Sequence, residues 1–390
     1  MLLLIKNGEL YTPDYIGRKD ILIAHSKIIV IQDTIDLPEA FIDVKVIDAT
    51  GLVITPGFID AHVHIIGGGG EGGYKTRTPE LQLTDTIKGG VTTVIGVIGT
   101  DGTTRTMPDL IAKARALDEE GITCFVQTGS YQIPVKTLTG AIEDDIILID
   151  KIIGVGEVAV ADHRSSQPTA QEVARIASAA RVGGMLSGKS GIVNIHVGDS
   201  PSKLSLLEQV ADQTDIPIKQ FLPTHINRNE PLFTAAIDYA KKGGYVDFTT
   251  STTEKFLMED EVKCSKGLKM MIETEVPIEN ITFTSDGQAS LPDFDSEGNL
   301  IGLQIGKVES LFHEVRDAIL IEEVPIETAI RVITSNPANI LRLENKGYIK
   351  EGKDADLVLL SKENLKIQSV IAKGQVMMTE GEILVKGTFE

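Results

Sequence analysis

Cysteine is nearly absent from this chain. Its 390 residues include two, Cys124 and Cys264, too few for a disulfide framework or a thiolate metal cluster, and each reads as a small buried hydrophobe. Long apolar runs are missing as well. The opening MLLLIKNGEL is interrupted by Lys6 and Asn7, short of the apolar region of a signal peptide, and no stretch approaches the length of a membrane span. Positive charge is scarce: 37 Lys and Arg stand against 56 Asp and Glu, a formal charge of -19. Nucleic acid and anionic membranes attract clustered Lys and Arg, so neither is expected as a partner. There is no low-complexity tract and no short repeat. The expectation is a soluble chain in a reducing cytoplasm.

What is present is ordinary globular material, 42% apolar and 24% charged. Residues 1–50 read as short β-branched strands separated by polar turns, and the stretch from ADLVLLSK to EILVKGTF repeats that texture. Two β-rich ends around a different middle suggest a small β-sandwich domain assembled from residues 1–55 and 346–390. In the middle, short apolar runs alternate with helical periods such as AQEVARIASAAR and PLFTAAIDYAKKG, the signature of parallel βα units. Eight candidate strands can be counted: ITPGFIDAHVH, VTTVIGVIGT, TCFVQTGSY, IIGVGEVAV, GIVNIHVGD, KQFLPTHI, YVDFTTS and ITFTSDG. The fold class is therefore α/β, with a (β/α)8 TIM-like barrel over residues 56–345 whose chemistry should sit at the carboxyl ends of its strands.

Those strand ends carry the informative residues. His62 and His64 lie two apart, so in a strand both imidazoles leave one face. Alone that pair is weak evidence of metal binding. Glu157 lies on the fourth strand, His196 and His225 end the fifth and sixth, and Asp286 ends the eighth. Four of the chain's seven histidines thus fall at strand termini. A barrel would gather four imidazoles and two carboxylates, an N/O ligand set suited to zinc or a similar divalent ion. Separate core histidines are the competing explanation, but buried polar groups without partners are costly.

Residues 183–190, GGMLSGKS, satisfy the literal phosphate-loop pattern. A working loop follows a strand and opens a helix. Here a helical stretch precedes and a strand follows, so the segment reads as a turn into the fifth strand.

PGFIDAHVH, the later single histidines, the SDG segment and GYIKEGKDADLVLL resemble the amidohydrolase superfamily. Within it, GGGGEGG, TGSYQIP, ADHRS, LPTHINRN and TSDGQAS are similar to the isoaspartyl dipeptidase (β-aspartyl peptidase) family, and the resemblance runs nearly end to end. It implies a zinc barrel plus a small β domain, a β-aspartyl dipeptide as substrate, and assembly into a homo-oligomer, possibly an octamer. It also implies that His62, His64 and Asp286 bind one metal and His196 and His225 a second. Asp286 would handle the proton, and Tyr131 would stabilise the oxyanion. Glu71 would receive the substrate ammonium and Arg164 and Arg228 its carboxylates, with Thr100 and Ser290 as lesser contacts.

One position departs from the pattern. The resembling family most often has a carboxylated lysine on strand four, where this chain has Glu157. Glutamate already carries two oxygens, so two divalent ions, zinc by preference, would be bridged by Glu157 and a hydroxide. A single-metal site with Glu157 merely hydrogen-bonded is the other reading, and Lys151 is the nearest lysine, six residues earlier. Two other classes stay open: a cyclic amidase of hydantoinase or dihydroorotase type, and a non-catalytic barrel scaffold.

Overall fold

A computed structural model describes residues 2–37, 44–294 and 300–390. Both termini enter one nine-stranded sheet. Leu2–Tyr11 pairs antiparallel with Tyr15–Ala24 and parallel with Val44–Asp48 and Leu52–Pro56. Leu52–Pro56 pairs antiparallel with Leu357–Ser361, and this joins the C-terminal strands Ile367–Ala372 and Gln375–Thr379 to the same ladder. Alternate residues face one core: Leu3, Ile5, Ile21 and Ile23 from the first strands meet Ile54, Leu357, Leu359 and Ile371. Residues from both arms of the sheet share that core, as the β-sandwich expectation requires.

The middle of the chain supplies eight parallel barrel strands in sequence order: Phe58–Val63, Val91–Gly96, Thr123–Thr128, Ile152–Val160, Ile192–Val197, Phe221–Thr224, Val246–Thr249 and Ile281–Thr284. They match the eight apolar runs of the sequence, which are apolar throughout because parallel strands are covered on both faces. The first six form one ladder and the last two another. The ring closes through a parallel bridge between Val63 and Gly287, where His64 N donates to Gly287 O at 2.9 Å. Between the sixth and seventh strands, Ile226 N donates to Asp247 O at 3.3 Å. Among the described residues, no helix is long and apolar enough to cross a membrane.

The barrel interior is divided along its axis. Ile59, Ile95, Ile153, Ile192 and Leu222 pack against Ala338, Ile340, Leu341 and Leu343, which plug the amino end. Polar side chains are therefore left to the carboxyl end. The GGMLSGKS segment is the last turn of the helix Ala170–Ser187, which opens with a Thr169–Glu172 capping box and stops at Gly188 in the left-handed region (φ 73°). Lys189 Nζ is spent on Ile146 O and Ile149 O, at 2.6 and 2.5 Å, so the segment is a helix end rather than a phosphate loop.

Candidate active site

His62 is the penultimate residue of the first barrel strand and His64 follows that strand directly, with Glu157 inside the fourth strand and His196 inside the fifth. His225 comes directly after the sixth strand and Asp286 two residues after the eighth. Both lie in the left-handed region, φ 66° and 53°, so the chain turns sharply as it leaves each strand. For non-glycine residues that costs about 1–3 kcal/mol each and is tolerated chiefly at functional sites.

These six side chains converge. His64 Nε2 lies 3.1 Å from Asp286 Oδ1 and 3.5 Å from Glu157 Oε1, and His62 Nε2 lies 3.4 Å from Glu157 Oε2 and 3.6 Å from Asp286 Oδ1. His196 Nδ1 and His225 Nε2 stand 3.2 and 3.9 Å from Glu157 Oε2. Two groupings could each hold an ion: His62, His64 and Asp286, and His62, Glu157 and His225. Glu157 is central to the cluster and fully buried. The expected pairing of His196 with His225 differs from the second grouping, in which His62 takes the place of His196.

Neighbours fix the imidazoles. His62 Nδ1 donates to Asn194 Oδ1 at 2.9 Å and His225 Nδ1 lies 2.5 Å from Thr249 Oγ1, so in both rings Nε2 is the nitrogen turned to the cluster. Burial opposes charge on His62, but Glu157 and Asp286 outweigh it and hold its pKa up to about 10. His225 is pushed down to about 3 by burial and by His196. Burial would raise Glu157, yet His62, His196 and His225 hold it well below the ordinary carboxylate range. Asp286 is likewise lowered against burial, through its hydrogen bond and charge interaction with His64.

Divalent ions fit this donor set. His62 Nε2 and Glu157 Oε1 are buried and have no hydrogen-bond partner among the described residues. Buried polar atoms left so cost about 1–3 kcal/mol each, which a bound cation would offset. Lysine is not a candidate at this position. Lys151 lies before the fourth strand, at the amino end of the barrel, where it pairs with Asp118 and donates to Cys124 O.

A cavity of about 1140 Å³ opens over the cluster and is lined by every expected substrate contact: Glu71, Thr100, Tyr131, Arg164, Arg228 and Ser290. Glu71 accepts from Thr100 Oγ1 at 2.8 Å and sits 3.5 Å from Arg164 Nη1. Tyr131 OH is 2.8 Å from His196 Nδ1, and burial raises its pKa well above the usual phenol value. Arg228 has no ion pair among the described residues.

Several contributors carry no signal in the sequence reading. Gly99 is one: a Cβ there would stand 2.8 Å from His64 Cε1 and 3.1 Å from Glu157 Oε1. Arg105 is another. It is buried and donates to Ile66 O and Gly68 O, at 3.2 and 2.7 Å, which fastens the glycine loop. Gly67 has φ 78° and a Cβ there would meet Thr78 O at 2.3 Å, so this glycine serves a tight turn and close backbone approach. Asp162, Asn194 and Thr249 support the histidines, and their partners lie on other strands.

An α/β barrel with histidines and carboxylates gathered at the carboxyl ends of its strands, beside a sheet built from both termini, defines an amidohydrolase. Two sequence models of the Amidohydrolase family match residues 45–119 and 258–377. The β-aspartyl dipeptidase of the thermophilic, keratin-degrading Fervidobacterium islandicum AW-1, solved with a β-Asp-Leu dipeptide, is 43% identical over 98% of both chains with a TM-score of 0.90. This chain belongs to the β-aspartyl dipeptidase family. More distant are the dihydroorotase of Aquifex aeolicus, 26% identical over 98% of this chain and 99% of that protein, and the allantoinase of Enterococcus faecalis, 26% identical over 92% and 85%.

Proposed function

We propose that the chain hydrolyses β-aspartyl dipeptides at a centre of two divalent ions, zinc by preference. The observation that carries this reading is that Arg164, Arg228 and Glu71 together line the cavity over the histidine cluster, on a wall that also carries Arg105, Lys203 and further carboxylates. A β-aspartyl dipeptide presents the complement, two carboxylates and one ammonium around its amide. Planar guanidinium groups suit carboxylates. The relative solved with β-Asp-Leu supports the same substrate class.

His62, His64 and Asp286 would hold one ion and His196 and His225 the other, with Glu157 between them. When bound, such ions lower the pKa of water to near neutrality and polarise the amide carbonyl. Asp286 accepts the proton that leaves the attacking water and returns it to the amine as the C–N bond breaks. Tyr131, kept protonated by burial, donates to the carbonyl oxygen as it gains negative charge. Thr100 holds Glu71 in place to receive the ammonium, and Ser290 adds a hydroxyl at the rim. The same reading includes a cytoplasmic homo-oligomer, and the exposed Val182, Met185 and Leu186 on the helix Ala170–Ser187 support assembly, which sedimentation tests.

The deciding experiment combines metal analysis of purified protein with turnover of β-aspartyl-leucine, α-aspartyl-leucine and dihydroorotate. Two ions per chain and turnover of the β-linked isomer alone are expected. Equal rates on both isomers, or turnover of dihydroorotate only, would overturn the substrate. Because Glu157 supplies its carboxylate directly, apo-protein given zinc in bicarbonate-free buffer should recover full activity.

A further inference from the structure

Asp162 lies two residues beyond the fourth barrel strand, in the ADHRS segment, and its carboxylate is nearly fully buried. Both oxygens are committed. Oδ1 accepts from Arg164 N at 2.7 Å and Arg164 Nε at 3.0 Å, and Oδ2 accepts from Arg164 Nη2 at 2.7 Å. Oδ2 also accepts from His196 Nε2 at 3.0 Å. One carboxylate thus joins a histidine of the cluster to a guanidinium of the cavity wall. The backbone is shaped for this contact: a Cβ at Gly198 would stand 2.6 Å from Asp162 Cβ and 2.3 Å from Ala161 O, so only glycine lets the loop after strand five come so near.

His196 differs from the other histidines of the cluster. His62 and His225 have Nδ1 occupied by a neighbour and turn Nε2 inward. In His196 the orientation is reversed: Nε2 is held by Asp162 Oδ2 at 3.0 Å, and Nδ1 is the nitrogen turned to the cluster, 3.2 Å from Glu157 Oε2 and 2.8 Å from the Tyr131 hydroxyl, which can donate to its lone pair. A carboxylate acceptor at one ring nitrogen places the proton there and leaves the lone pair on the other.

We propose that Asp162 is a positioning residue with two linked tasks. It fixes the tautomer and tilt of His196, so that Nδ1 is its metal-donor nitrogen, and it holds the fork of Arg164 towards the substrate carboxylate. Affinity for the second ion and capture of substrate are thereby coupled through one side chain that touches neither. This rests on the two-ion reading above.

The test compares Asp162→Asn with Arg164→Met, in full-length protein stripped of metal. Zinc is titrated against a chelating competitor, followed by kcat and KM for β-aspartyl-leucine and by the melting temperature of the apo-protein. In Asp162→Asn one zinc site should lose about 10–100-fold in affinity while the other is unchanged, and KM should rise. In Arg164→Met, KM should rise with both zinc affinities within about threefold of wild type, since Asp162 still holds His196. Wild-type zinc affinities in Asp162→Asn, or equal weakening of both sites, would overturn the proposal. So would a lowered melting temperature alone, the mark of a merely structural group. If Asp162→Asn does not fold, Asp162→Glu replaces it, with the same selective loss expected. The zinc titration needs no substrate, so an incorrect substrate class shows itself separately, as a wild-type protein that binds two ions and leaves β-aspartyl-leucine intact.

Discussion

Arg228 reaches the cavity with no ion pair among the described residues, whereas Arg164 arrives already bound to Asp162. An unpaired guanidinium beside a polar cavity has its hydrogen bonds to give to a ligand. Arg228→Met should therefore raise KM for a β-aspartyl dipeptide on the order of 10- to 100-fold, the worth of a charged hydrogen-bond pair, and change kcat little. Arg228→Lys should rescue only part of it, because an ammonium does not reproduce the planar fork. Steady-state kinetics checks both. Beneath the cluster, two buried carboxylates behave oppositely to Glu157. Burial raises Asp60 to about 7 and Asp247 to about 6, although Asp247 accepts from the hydroxyls of Thr224, Thr282 and Thr284. A folded pKa above the unfolded one gives stability that is present below about pH 4 and lost as the pH rises through the folded value. For these two groups the loss runs between about pH 4 and 7. Metal-free Asp247→Asn should show a smaller drop in melting temperature between pH 5 and pH 8 than wild-type apo-protein. An unchanged drop would remove Asp247 from the account. At this scale the sequence is legible where chemistry-bearing residues sit at strand ends: His62, His64, His196, His225 and Asp286 all meet around Glu157. Asp162, Asn194, Thr249 and Arg105 are not legible, because nothing in their own segments says which side chain from a distant strand they will meet.

Elements place these side chains through the backbones that approach most closely. Gly156, on the fourth strand, would set a Cβ 2.8 Å from Asn194 Cβ and 3.1 Å from Asn194 O on the fifth. Gly99, beyond the second strand, faces side chains of the cluster instead. The two glycines should fail differently on substitution by alanine. Gly156→Ala pushes on a neighbouring strand that cannot yield, so it should lower the melting temperature of the whole fold. Gly99→Ala pushes on His64 and Glu157, and a displacement of a few tenths of an ångström there should cut kcat by up to about 100-fold and reduce metal content with the melting temperature of the apo-protein nearly kept. Thermal melts and metal analysis of the two variants separate these outcomes, and a Gly99→Ala enzyme with full activity would contradict the crowding. The eight barrel strands are legible for a simple reason: each is a short apolar run, and helices of clear period lie between several of them. The hairpin Ser290–Phe294 with Leu300–Ile305 is not, because Pro292 and the polar residues around it break the alternation that a strand shows.

Across the whole molecule, the texture of the two ends announces a β-rich unit, but not how the ends meet. The join depends on pairings such as Val53 with Leu360, about three hundred residues apart in sequence, which no local pattern encodes. Nor does sequence reveal what fixes that sheet to the barrel. Lys346 does so: it is buried, and its Nζ donates to Thr123 Oγ1 of the third barrel strand at 2.7 Å and to Asp356 Oδ2 at 2.6 Å, with Asp354 Oδ2 at 2.9 Å. Asp356 continues the connection. Its Oδ1 accepts from Lys373 N at 2.7 Å and its backbone carbonyl accepts from Gly57 N at 2.8 Å, at the start of the first barrel strand. Removing the lysine alone would leave Asp356 buried without its counter-charge, a change that typically costs about 3–5 kcal/mol. Asp354 keeps Lys27 at 2.7 Å, so it should contribute less. Lys346→Met is therefore expected to lower the unfolding free energy by about that amount while the folded fraction keeps its KM, since the pair lies at the opposite end of the barrel from the cavity. Adding Asp356→Asn should restore part of the loss, because the uncompensated charge is then gone, and the double-variant cycle measures the coupling. If Lys346→Met melts like wild type, the terminal sheet is held by its apolar contacts with the barrel, and this buried ion pair contributes nothing to the attachment.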